Sequence, residues 1–108
     1  MNIGFVSTWL QRGAAYVTMS YIKMLQPPHK AFVYGRGGEY FDARMVYDHV
    51  EVHRALRLDG TDIYYPDFRN WIKKNRLDIV LMNEQDSIEA VCKARLDFPY
   101  LIFGAYID

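Results

Sequence analysis

The chain holds a single cysteine, Cys92, so no disulfide can form within it. That usage fits a reducing cytosol. Thirteen basic side chains balance thirteen acidic ones, and the formal net charge is zero. Such a balance gives no electrostatic reason to expect nucleic acid or an anionic membrane surface as partner. No apolar run reaches the roughly 18 residues that a membrane span needs. No secretory leader is expected either, because the N-terminus has no basic start and Arg12 and Gly13 interrupt its apolar stretch. Internal repeats, low-complexity tracts and linkers are absent. A single cytoplasmic domain over residues 1–108 is the expectation.

What is present is apolar and aromatic. The apolar share is 51%, enough for a real core, and the aromatic share is 16%, with nine tyrosines. Aromatic side chains fill cores and interfaces, and they also line sugar-binding clefts. Ile3 to Ser7 reads as a strand buried on both faces. Gly13 precedes a helix from about Ala14 to Gln26, with Ala14, Val17, Tyr21, Met24 and Leu25 on one face. Pro27 and Pro28 stop it. Ala31 to Tyr34 is a second strand, ended by Gly35-Arg36-Gly37-Gly38. The stretch from Glu39 to Asp48 is ambiguous, with Phe41, Met45 and Val46 able to line a short helix.

His49 to His53 alternates, placing Val50 and Val52 opposite His49, Glu51 and His53, as in a half-exposed strand. Asp59-Gly60 marks a turn. Pro66 suits the first turn of a helix that carries Phe68, Trp71 and Ile72 inward and ends in Lys73, Lys74 and Arg76. Ile79 to Met82 is another buried strand. Asp86 and Glu89 resemble a capping box for a helix whose face is Ile88, Val91, Cys92 and Leu96. Pro99 opens a last strand, Tyr100 to Phe103, ended by Gly104.

Strands that alternate with helices predict an α/β fold: a Rossmann-like three-layer α/β/α domain with a mainly parallel sheet of about five strands. In the doubly wound order 3-2-1-4-5, the first and fourth strands meet at the switch point, where ligands of such sheets bind. The loops Thr8–Gly13 and Asn83–Ser87 then flank one crevice, with Gly104–Asp108 on the next strand. Parallel sheets are covered on both faces. The end of the chain just past the fifth strand therefore predicts a partner on the last strand, a second copy of the chain, or a further domain.

Several constellations can carry chemistry. After the first strand, Gly13 allows close backbone approach and Arg12 can pair with a phosphate, although an ordinary βα turn also explains both. The loop lacks the full G-x-G-x-x-G fingerprint. Asn83, Glu84, Gln85 and Asp86 follow the fourth strand and suit a hydroxyl-rich ligand. Asp86 is the natural helix cap, and Glu84 is the freer carboxylate, a candidate general base. Gly35 to Glu39 reads as a flexible turn rather than a phosphate cradle. His49, Glu51 and His53 share a strand face, but nothing nearby resembles a second shell, and no metal is expected. Cys92 reads as a buried small hydrophobe. Tyr106 and Asp108 cluster at the end of the last strand, where Asp108 is either a site carboxylate or a solvated terminus.

These pieces occur in order: Phe5-Val-Ser-Thr-Trp9, Arg12-Gly13, Tyr16-Val17, Val33-Tyr-Gly-Arg-Gly-Gly-Glu39, Val80-Leu-Met-Asn-Glu-Gln85 and Gly104-Ala-Tyr-Ile-Asp108. In this respect the chain resembles the N-terminal domain of GT-B-fold glycosyltransferases of the family-4-like group. The resemblance implies two Rossmann-like domains facing a cleft, the N-terminal one on the acceptor side and the C-terminal one holding a nucleotide sugar. It implies that Arg12 and Gly13 approach the donor diphosphate. It further implies that Trp9, Asn83, Glu84, Gln85 and Tyr106 face the acceptor or the transferred sugar, with Glu84 and Asp108 the weak catalytic candidates. No cofactor beyond the donor substrate, and no catalytic metal, is implied. Without a donor domain, these 108 residues are expected to be inactive. The rival expectation is a free-standing flavodoxin-like or receiver-like binding module, or an interaction domain that self-associates through its last strand.

Overall fold

The computed structural model of the chain describes residues 1–8, 13–25, 28–36, 50–56, 63–83 and 88–106. Among the described residues five strands and three helices follow one another as β1 (Asn2–Thr8), α1 (Gly13–Met24), β2 (Lys30–Arg36), β3 (Glu51–Arg54), α2 (Tyr65–Asn75), β4 (Ile79–Asn83), α3 (Ile88–Asp97) and β5 (Ile102–Tyr106). All strand pairs are parallel, in the order β3-β2-β1-β4-β5. This is the expected Rossmann-like α/β arrangement. It differs from the 2-1-3-4-5 order of flavodoxins and receivers, because β1 here lies between β2 and β4.

Register and period 2 assign the two faces of the sheet. His53, Tyr34, Val6, Met82 and Ala105 form one continuous row across it. That face meets α2 and α3 in a core containing Val6, Tyr34, Phe68, Trp71, Ile72 and Ala94. The opposite face packs Ile3, Phe5 and Val33 against Ile22 of α1. Phe68 and Ile72 are fully buried, each removing about 1.5–3 kcal/mol of apolar side chain from water. The central strand β1 is covered on both sides, with Phe5, Val6 and Ser7 all at or below 1% exposure.

Two close approaches set this packing. A Cβ at Gly4 would lie 2.6 Å from Trp71 Cη2 and 2.7 Å from Leu77 Cδ1, so only glycine lets α2 press onto β1. The C-terminal end of α2 is held by Asn2, whose Nδ2 donates to the carbonyls of Asn75 (2.9 Å) and Arg76 (3.3 Å). Arg76 takes the left-handed conformation, φ 50°, and turns the chain toward β4.

Several boundaries and faces differ from the sequence expectations. The α1 helix ends at Met24 rather than Gln26; among its described side chains Thr18 and Ile22 are buried, Met19 and the following Leu25 pack against the same core, and Tyr21 and Met24 are exposed. β2 and β5 run through Gly35 and Gly104 instead of ending at them, and β5 starts at Ile102 rather than Tyr100. Ala90 and Ala94 of α3 are buried and the expected Val91 packs against the same core, whereas Cys92 and Leu96 are exposed. Small side chains four residues apart let this helix sit close to the sheet and turn the larger ones outward. The stretch Glu39–Asp48, which the sequence left ambiguous, the Asp59-Gly60 turn and the Asp86 cap lie outside the described residues.

Candidate functional site

In a parallel sheet every strand ends on the same edge, and three of the residues singled out from the sequence, Gly13, Asn83 and Tyr106, stand at it. β1 and β4 are neighbours, so their carboxyl ends meet at the switch point. Asn83 closes β4 and pairs in register with Tyr106 at the end of β5. β1 ends at Thr8, and α1 begins five positions later at Gly13. Its first turn carries no acidic residue, so the free N–H groups and positive dipole end are not neutralised from within the helix. Gly13, Asn83 and Tyr106 thus share one edge. Trp9, Arg12, Glu84, Gln85 and Asp108 lie outside the described residues.

Two cations stand at this edge: Arg36, which the sequence reading placed in a flexible turn after β2, and Arg54, which it did not single out. Arg36 ends β2, in register with Thr8, and is half-buried. Arg54 ends β3, in register with Gly35, and is exposed.

The most tightly built polar cluster lies two strands away. Asp67, in the first turn of α2, receives the Tyr34 hydroxyl at 2.6 Å and the Leu56 backbone N–H at 2.9 Å. His53 Nε2 lies 3.1 Å and 3.2 Å from the two carboxylate oxygens. The His53 ring stacks on Tyr34, with centroids 5.4 Å apart at 26°. Asp67 is only 13% exposed and His53 34%. The Tyr34 hydroxyl is held protonated well above the ordinary phenol range. Burial is the main cause, followed by its hydrogen bond to Asp67 and that carboxylate's charge, while Arg36 opposes the rise.

The sequence had placed His53 on a face with His49 and Glu51. The structure gives it a carboxylate partner from another element. Among the described residues no three His, Cys, Asp or Glu side chains converge as a metal site, and His49 is not among them. The one sequence signal for Asp67 was its position beside Pro66 at a helix start, which indicates a dipole or capping role and names no partner. Cys92 is an exposed thiol on α3 and does not belong to either cluster.

No helix of the described residues is long and apolar enough to cross a membrane. Comparison with protein-family models, with curated proteins and with solved structures returns no match. The class of the molecule is therefore defined by its architecture alone: a Rossmann-like α/β domain in which β1 and β4 are neighbours in a parallel sheet.

Proposed function

We propose that this chain is the N-terminal, acceptor-side domain of a GT-B-type glycosyltransferase. Such an enzyme moves a sugar from a nucleotide-sugar donor to a hydroxyl acceptor, and this domain is inactive without its donor-binding partner domain. The observation that carries the reading is the strand order, with β1 running almost directly into α1 beside the end of β4. The first turn of α1, which carries no acidic residue, favours an anionic ligand at this edge. In this reading Arg12 and Gly13 reach the donor diphosphate. Trp9, Asn83, Glu84, Gln85 and Tyr106 face the acceptor or sugar. Glu84 and Asp108 are the candidate catalytic carboxylates.

Backbone N–H groups and basic side chains stabilise a leaving diphosphate without a bound metal. The flavodoxin-like and receiver-like alternatives are disfavoured by the position of β1 between β2 and β4. β5 is the outer strand on its side, and Ile102 at its start is 56% exposed. A further strand, the donor-side domain or a second copy would pair there.

The test is a calorimetric titration of nucleotide sugars and free diphosphate onto this chain and onto a longer polypeptide that contains it. Weak binding by the chain and clear binding by the longer form are expected. Equal, tight binding by both would contradict the assignment of the donor site to another domain.

A further inference from the structure

The sheet face that carries α1 is covered unevenly. Register aligns Ile3, Ile79 and Ile102 across β1, β4 and β5, and likewise Phe5, Leu81 and Gly104. Ile3 and Phe5 are buried, and Ile79, Leu81 and Gly104 are half-buried. Ile102 is 56% exposed. Exposure thus rises from β1, where α1 packs, to the outer strand β5. Among the described residues, α2 and α3 lie on the opposite face, and no helix covers β4 and β5 on this one. Neighbouring strands lie about 4.8 Å apart and packed helices about 8–10 Å apart. The open strip over two strands is therefore one helix wide.

The α1 helix supplies a ridge that matches it. Thr18 and Ile22 are buried, so they point at the sheet. Successive helical residues turn by about 100°. Tyr21 then projects to one flank and Met24 to the outward side of that flank, whereas Lys23 projects to the other flank. The right-handed crossover from β1 to β2 turns the Tyr21 flank toward β4. Tyr21 is 40% exposed and Met24 75%. The apolar stripe of α1 thus runs from its flank beside the strip onto its outward surface. A helix laid in the strip would cover Tyr21 and leave Met24 in water. A second sheet laid over α1 covers both.

We infer that a second copy of this chain occupies the strip, with α1 of each copy seated over β4 and β5 of the other. A two-fold axis between the sheets and parallel to the strands places ridge over seat in both directions. An in-plane axis across the strands would set ridge on ridge. The chosen axis keeps the amino ends of all strands at one level. Met24, at the end of α1, then meets the partner's Ile79 and the partner's Ile102. Tyr21, Met24, Ile79, Leu81, Ile102 and Gly104 are all uncharged, so the axis opposes no like charges. The dimer does not depend on the glycosyltransferase reading.

The test is sedimentation equilibrium of the chain from low-micromolar to near-millimolar concentration, with circular dichroism to check the fold of each variant. The chain should form a dimer in a concentration-dependent way. Met24→Lys changes an exposed residue at a helix C-terminus, where the dipole favours a cation, so the fold is kept. Association should weaken by about a hundredfold, because each dimer holds the new charge twice in an apolar seat. Ile102→Glu should weaken it as much. An equimolar mixture of the two variants should recover the dimer. One of its two contacts joins the opposite charges, and the other is native.

A chain that stays monomeric, Met24→Lys dimerising undiminished, or a mixture that stays monomeric would each overturn the proposal. If Ile102→Glu does not fold, the Met24→Lys result decides alone. A monomer whose β4 and β5 amides become protected from exchange only within a longer polypeptide would also overturn it, and would assign the strip to another segment. The readout is molecular mass, so this outcome is separate from that of the nucleotide-sugar titration.

Discussion

Replacing Asp67 by alanine should remove the polar keystone between α2, β2 and β3. The carboxylate accepts the Tyr34 hydroxyl at 2.6 Å, the Leu56 N–H at 2.9 Å and faces His53 at 3.1 Å. Leu56 is exposed, so water replaces most of its bond. Tyr34 is fully buried, and its hydroxyl would be stranded at a cost of about 1–3 kcal/mol. Loss of an acidic group from the first turn of α2 adds about 0.3–1 kcal/mol. The expected destabilisation is about 3 kcal/mol, a large part of a typical 5–15 kcal/mol domain stability. Urea unfolding followed by circular dichroism measures it.

Tyr34→Phe removes the donor instead and should cost about 1 kcal/mol. The double variant should be milder than the sum, with a coupling of about 1–2 kcal/mol. The raised Tyr34 pKa carries a sign that can be checked as well. The folded state keeps the phenol proton while the unfolded chain loses it near pH 10. Stability is therefore intact below about pH 10 and declines as pH rises beyond it. Tyr34→Phe should flatten that alkaline decline. An Asp67→Ala change under about 0.5 kcal/mol, or strict additivity with Tyr34→Phe, would refute the reasoning.

Three other perturbations follow from the packing. Gly4→Ala should destabilise the fold by about 1–3 kcal/mol in a thermal or urea melt, because the new methyl meets Trp71 and Leu77 at 2.6 and 2.7 Å. Arg76→Gly should raise the unfolding midpoint by relieving a left-handed residue that costs about 1–2 kcal/mol, less the entropy that glycine adds to the unfolded chain. Cys92 should react fully with a thiol reagent in the native state, without denaturant; protection there would contradict its exposed position on α3.

Strand positions were legible because buried parallel strands are short, continuous apolar runs, as in Ile3–Ser7 and Ile79–Met82. From four such runs, the alternating strand His49–His53 and the helices read around them, the parallel order followed by topological rule. Strand ends were less legible. Gly35 and Gly104 read as breakers, yet both lie inside the ladder, paired with Ser7 and Leu81. The face of α3 was misread because large side chains suggest burial more strongly than alanines do. What decided it was the close seat of Ala90 and Ala94 on the sheet.

The Asp67 cluster was the least legible. Its members are separated by 14 and 33 residues, and they meet only because a crossover places the start of α2 beside the ends of β2 and β3. No local period encodes such a meeting. The sheet-edge residues Gly13, Asn83 and Tyr106 were legible because a parallel sheet must bring all strand ends to one side.

The central claim is that the carboxyl edge at β1 and β4 receives a sugar-nucleotide diphosphate held mainly by another domain. It is tested most directly by mapping amide shifts of the ¹⁵N-labelled chain during titration with a nucleoside diphosphate sugar. The expected result is a weak, roughly millimolar interaction, worth about 4 kcal/mol, that moves Gly13, Thr8, Asn83 and Tyr106. A silent edge, or sub-micromolar affinity in this chain alone, would contradict it.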